Sequence, residues 1–159
     1  MSESFQGACT CGQVRFQLKQ TPMFVHCCHC TWCQRESGSA FALNALIESS
    51  EVQILKGETE ATELPSNSGK GQIVMRCPGC KTALWSHYNG AGEALAFVRV
   101  GSLQQAPRLA PDVHIFTESK LPWMLLPEGI PAFPQYYRAA QLWPAASLER
   151  RAKLQAAKP

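Results

Sequence analysis

No stretch of about 18 consecutive apolar residues occurs in this chain of 159 residues, so no segment is long enough to cross a membrane as a helix. The N-terminal stretch Met1-Ser2-Glu3-Ser4-Phe5-Gln6-Gly7 has neither a basic region nor an apolar core, which predicts no secretory signal and a cytoplasmic protein. Charge is scarce as well. Charged residues make up 17% of the chain and the net charge is +3, too little to imply a nucleic-acid partner. The one basic cluster, Arg150, Arg151, Lys153 and Lys158, holds four cations, too few for specific DNA binding. With 45% apolar residues the chain is globular rather than disordered. Long helical patterns are also missing, because eleven prolines and eleven glycines favour turns and short elements.

Cysteine is the residue in excess. Eight are present, and in a reducing compartment clustered cysteines point to metal ligands rather than disulfides. The segment Cys28-His29-Cys30-Thr31-Trp32-Cys33 packs three thiols into six residues. No hydrophobic core requires that arrangement.

The remaining pattern reads as a mainly β protein. Val14, Phe16 and Leu18 alternate with Arg15 and Gln17, as in a strand with one wet face, and Cys9-Thr10-Cys11-Gly12 sits at the turn before it. Strands are expected at 23–27, 41–47, 52–55, 72–76, 83–88, 94–100 and 113–116, those at 41–47 and 52–55 buried. Residues 58–71 are polar and read as an exposed loop around Pro65-Ser66-Asn67-Ser68-Gly69. Asn89-Gly90 suggests a hairpin turn. Pro122, Pro127, Pro131 and Pro134 exclude a regular helix from 121 to 134. A short C-terminal helix is expected from Pro144 to about Ala157, with Glu149, Arg150, Arg151 and Lys153 exposed.

Two metal sites are expected. In Cys77-Pro78-Gly79-Cys80, proline presets one φ and glycine accepts a positive one, so a tight turn aims two sulfurs at one ion. Cys9 and Cys11, at i and i+2, point to one face of an extended segment and can complete a tetrahedron. Cys28, Cys30 and Cys33 then remain as three ligands, and three ligands with a vacant position is the plan of a catalytic zinc. Two arrangements stay open at this point. His26, on the face of Cys28, or Cys27 or His29 on the other, could close the second site as a structural one. Pairing Cys30 and Cys33 with Cys77 and Cys80 as a zinc ribbon would leave Cys9, Cys11 and Cys28 without a role. A zinc with three thiolates carries a net charge of −1 and is a poor Lewis acid toward a carbonyl. It can take a fourth thiolate if nearby cations offset the charge, so the expected substrate is a thiol. Arg35 is nearest in sequence, with Arg76, Arg99 and Lys120 as other candidates.

Three segments together, Cys9-Thr10-Cys11-Gly12, Cys28-His29-Cys30-Thr31-Trp32-Cys33-Gln34-Arg35 and Cys77-Pro78-Gly79-Cys80, resemble the glutathione-dependent formaldehyde-activating enzyme family, which also includes centromere protein V. His114-Ile115-Phe116 and Ser119-Lys120-Leu121-Pro122-Trp123 look like that family's closing segment. The resemblance implies a β-tent fold of several antiparallel sheets stapled by zinc. It implies one domain over 5–137 with a partly helical extension over 138–159. It assigns Cys9, Cys11, Cys77 and Cys80 to a structural zinc, and Cys28, Cys30 and Cys33 to a catalytic zinc, two zinc ions per chain. The implied reaction is that of a carbon–sulfur lyase joining glutathione and formaldehyde into S-hydroxymethylglutathione. Alternatives are a related lyase on another thiol conjugate and a non-catalytic zinc-stapled binding module. Arg35, His29, His114, Lys120 and Trp123 are the candidate substrate contacts, with His29, His114 and Tyr88 as candidate proton donors and Phe116 beside Trp123 as a pocket wall. The expected partner is a small thiol, glutathione first, with no nucleic acid and no membrane; a homo-oligomer is compatible with the sequence.

Overall fold

The N-terminal alternation folds as a hairpin. β1 (Phe5–Ala8) pairs antiparallel with β2 (Arg15–Leu18), and the turn between them carries Cys9 and Cys11. Val14, Phe16 and Leu18 are fully buried, as their alternation requires. Gly7 leaves room for the Phe16 ring: a Cβ there would lie 2.3 Å from Phe16 Cζ. The protein is described by a computed structural model over residues 3–158.

Among the described residues ten strands form two sheets. The smaller joins β1, β2 and β5 (Val52–Lys56) in the order β1-β2-β5. The larger has seven strands. In spatial order they are β10 (Val113–Ile115), β3 (Phe24–Cys28), β4 (Ala42–Glu48), β9 (Leu95–Arg99), β8 (Ala83–Tyr88), β7 (Gln72–Arg76) and β6 (Glu60–Leu64). Phe5, Phe16 and Leu18 of the small sheet share one core with Ala45, Ile47, Leu84 and Val98 of the large sheet, and Phe16 meets Trp85 edge to face at 5.3 Å. The opposite face of the large sheet holds a second core, where Phe24, Leu46 and Phe97 cluster with Tyr137, Ala139 and Trp143. Burial on both faces is why β3 and β4 read as nearly continuous apolar runs.

Four expectations need correction. The polar segment 58–71 contains β6, an edge strand whose Glu63 is exposed and whose Glu60 pairs with Lys81 at 2.6 Å, while its backbone pairs with β7. Charge on an edge strand hides its strand character but discourages intermolecular pairing. β5 is also an edge strand, with Ile54 and Leu55 41% and 50% exposed rather than buried. The large sheet is mixed, because β10 runs parallel to β3 after a long connection from β9. Ser66, expected on an exposed loop, is buried.

The C-terminal helix, α2 (Ala145–Ala156), follows Pro144 at its N-cap. It does not float free. Ser147 Oγ donates to Met23 O at 2.7 Å, and Arg150 forks onto the Glu48 carboxylate with Nε at 2.7 Å, so Arg150 is docked rather than exposed. Trp143 stacks on Phe24 with centroids 5.2 Å apart. The segment 121–134 is irregular, as its prolines require. No helix among the described residues is long and apolar enough to cross a membrane.

Candidate metal centres

The hairpin turn after β1 and the turn after β7 bring Cys9, Cys11, Cys77 and Cys80 together, with all four sulfurs within 4.8 Å of one another. Cys9 Sγ lies 3.6 Å from Cys11 Sγ, and Cys11 Sγ lies 3.7 Å from Cys77 Sγ. Tetrahedral zinc–sulfur bonds of about 2.3 Å place neighbouring sulfurs about 3.8 Å apart, so the spacing fits a zinc and not a disulfide. The local backbone prepares the sulfurs. Val14 N–H donates to Cys9 Sγ at 3.2 Å, and the Thr82 hydroxyl lies 3.1 Å from Cys80 Sγ. The Thr82 side chain, then its N–H, holds the Cys80 thiol down at about 5. Lys81 takes a positive φ of 62° to close the turn, and Gly79 has no Cβ to collide with Gln13 Oε1, which would lie 2.3 Å away.

The second cluster is built at the junction of β3 with a short helix, α1 (Thr31–Ser37). Cys28 ends β3. Cys30 is the N-cap of α1, its sulfur accepting from Cys33 N–H at 3.3 Å, and Cys33 lies in the first turn. The three sulfurs lie within 4.8 Å of one another and all three residues are buried. The one helix expected from the sequence was at the C-terminus, so α1 is an addition to that reading. The helix was signalled by Cys30 acting as an N-cap acceptor and by Gly38, which ends the helix at φ 62°. Three buried thiols this close cannot all ionise alone. Hydrogen bonds from Cys28 and then Cys33 pull Cys30 down to about 3, while sharing with Cys30, then Cys33, pushes Cys28 up. A divalent cation among the three sulfurs would favour the thiolate form of each.

His26 is not part of this cluster. Its Nε2 lies 2.6 Å from the Tyr137 hydroxyl, which also accepts from Trp143 Nε1 at 2.6 Å. Burial, then the Arg151 charge, holds His26 neutral, down to about 3. Among the described residues, no histidine, cysteine or carboxylate completes Cys28, Cys30 and Cys33 within that spacing. Cys27, His29 and His114 gather instead on the other face of β3. His29 Nε2 and His114 Nδ1 are 2.9 Å apart, closer than the roughly 3.3 Å between two nitrogens on one tetrahedral zinc. Burial holds both imidazoles neutral, so one donates to the other, and the pair ties β3 to β10.

A cavity of about 400 Å³ opens over the second cluster and is lined by Cys28, Cys30 and Cys33. His26, Asn44, Tyr88, Phe97, Phe116 and Tyr136 are among its walls. Of the expected substrate contacts, His29 and His114 lie on the far face of β3 and do not line it. Lys120 Nζ is engaged by Met124 O at 2.7 Å and Leu121 O at 3.2 Å, capping the turn after it. Trp123 is 69% exposed and outside the cavity. Arg35 is exposed and sits over the Trp32 ring at 5.9 Å, at the cavity's edge. Arg76 is paired with Glu36. The cation closest in effect is Arg99, behind the wall: its guanidinium donates to Asn44 Oδ1 and to Ser86 Oγ at 2.8 Å, and its charge favours the Cys33 thiolate. Ser119 explains part of the closing motif, since its Oγ donates to His29 O at 3.0 Å and steadies the loop that carries the three thiols.

The fold and these two clusters define a mainly β protein with two cysteine centres able to bind metal. The model of the glutathione-dependent formaldehyde-activating enzyme family matches residues 4–119, and the chain belongs to that family. No curated protein matches the chain. A crystal structure of a Rhodobacter sphaeroides protein is similar at 18% identity with a TM-score of 0.45, covering 62% of this chain and 87% of that one. At that level the likeness carries no argument.

Proposed function

We propose that the protein is a zinc-dependent carbon–sulfur lyase that joins a thiol to formaldehyde, glutathione being the thiol that the family name supplies. The observation that carries this reading is the open second cluster: three buried thiols facing a cavity, with no histidine, further cysteine or carboxylate joining them among the described residues. Zinc held by Cys28, Cys30 and Cys33 would supply an ionised, nucleophilic substrate sulfur at neutral pH. Arg99, through Asn44, offsets part of the negative charge gathered there. Phe97 and Ile115 limit water at the sulfur.

In the reaction a carbon–sulfur bond forms, the carbonyl π pair moves to oxygen, and that oxygen takes a proton to give a hydroxymethyl thioether. Tyr88 is the proton donor. It lines the cavity beside the three sulfurs, and burial followed by the Cys33 charge pushes its hydroxyl well above the usual phenol range; the shift keeps it protonated but weakens it as an acid, so its placement rather than its acidity fits it to the role. Tyr88→Phe is expected to lower the rate of adduct formation about 100-fold while thiol binding persists. Adduct formation from thiol and formaldehyde, followed by NMR with zinc-loaded protein, checks both statements. No acceleration by the wild type at any thiol concentration would remove the enzyme reading.

A further inference from the structure

We propose that the cavity over Cys28, Cys30 and Cys33 selects a thiol with an uncharged, apolar body, of arylalkyl or alkyl type, in preference to glutathione. This rests on the reading of the second cluster as a thiol-accepting centre. Among the described residues, no lysine, arginine, aspartate or glutamate lines the cavity. Trp32, Tyr88, Phe97, Ile115, Phe116 and Tyr136 are its large aromatic and aliphatic walls, with Phe97 packed edge to face on Tyr88 at 4.7 Å. Tyr136 lies beyond residues 4–119, so this part of the wall is outside the family-matched segment.

Glutathione carries two carboxylates and an ammonium on the body that holds its thiol. Each charge taken into this cavity would lose water without gaining an ionic partner. Arg99 cannot serve, because its guanidinium is behind the wall and committed to Asn44 and Ser86. Arg35 could meet a carboxylate left at the edge, but an exposed ion pair is screened and contributes little. The polar lining is neutral. Ser66, Ser68 and Gln72 offer hydroxyls and an amide, and Gln72 Oε1 is buried without a hydrogen-bond partner. Gln72 Nε2 is already committed to Pro65 O, so what Gln72 presents is an acceptor, which suits an O–H or N–H on the ligand and repels a carboxylate.

Cobalt(II)-loaded protein provides the test, since a thiol entering the second centre changes its sulfur-to-cobalt absorption. It is titrated with benzyl mercaptan, with glutathione diethyl ester and with glutathione. The expected order of half-saturation is benzyl mercaptan lowest, then the diester, with glutathione requiring about tenfold more or higher than benzyl mercaptan. Glutathione half-saturating at or below benzyl mercaptan would overturn the proposal, as would a diester no better than glutathione. A centre that responds to none of the three would overturn the thiol-accepting reading itself, and this preference with it.

Discussion

Cys77→Ser is expected to yield insoluble protein that retains no metal at the first centre. Cys77 is fully buried and its sulfur stands 3.7 Å from that of Cys11, so it links the turn after β7 to the N-terminal hairpin. Few other contacts hold these two turns. Thr82 Oγ1 lies 3.0 Å from Thr10 Oγ1 and accepts from Thr10 N–H at 3.4 Å, Gln13 Oε1 lies 3.9 Å from Cys77 Sγ, and the four sulfurs are the main remaining tie. Metal binding by a cluster absent from the unfolded chain becomes folding free energy, on the order of 10 kcal/mol. That equals or exceeds the net stability of an ordinary domain, about 5–15 kcal/mol. Serine keeps the size but is a far poorer zinc ligand than thiolate. Soluble Cys77→Ser protein with full zinc content would show that the cluster does not staple the fold.

Cys30→Ser should behave in the opposite way, folded but inactive. Serine can still cap α1 by accepting from the Cys33 backbone N–H, so the local structure survives. The surrounding core does not depend on this sulfur, because the β3–β4–β9 ladders and the His29–His114 hydrogen bond hold the segment in place. The expected result is native circular dichroism, one zinc per chain instead of two, and adduct formation reduced to the uncatalysed rate. Collapse equal to that of Cys77→Ser would instead make both centres structural.

The contrast between the two centres shows what could be read from the chain alone. In Cys77-Pro78-Gly79-Cys80 the meeting of two sulfurs at one turn was legible from four letters, but the positive φ expected at Gly79 falls on Lys81, and Gly79 instead leaves room for Gln13. The alternation of Val14, Phe16 and Leu18 likewise placed the wet and dry faces of β2. α1 was missed because seven residues are too few to show an apolar period, and its N-cap is a cysteine that looks only like a ligand. β6 was missed because an edge strand is held by backbone pairing, which leaves no apolar mark. The cavity was the least legible feature. Its walls come from β3, β4, β8, β9 and the segments around Phe116 and Tyr136, and only long-range packing brings these together. Lys120 and Trp123 drew notice as parts of a motif, yet the motif serves to hold the metal loop through Ser119 rather than to line the cavity.

On the proposed function, the second centre keeps one coordination position for a substrate sulfur. X-ray absorption at the zinc edge of fully loaded protein, with and without saturating thiol, tests it most directly. Thiol is expected to raise the mean number of sulfur neighbours per zinc, with the increase absent in Cys30→Ser. A sulfur count unchanged by any thiol, with both zinc ions already held by four protein ligands, would contradict it.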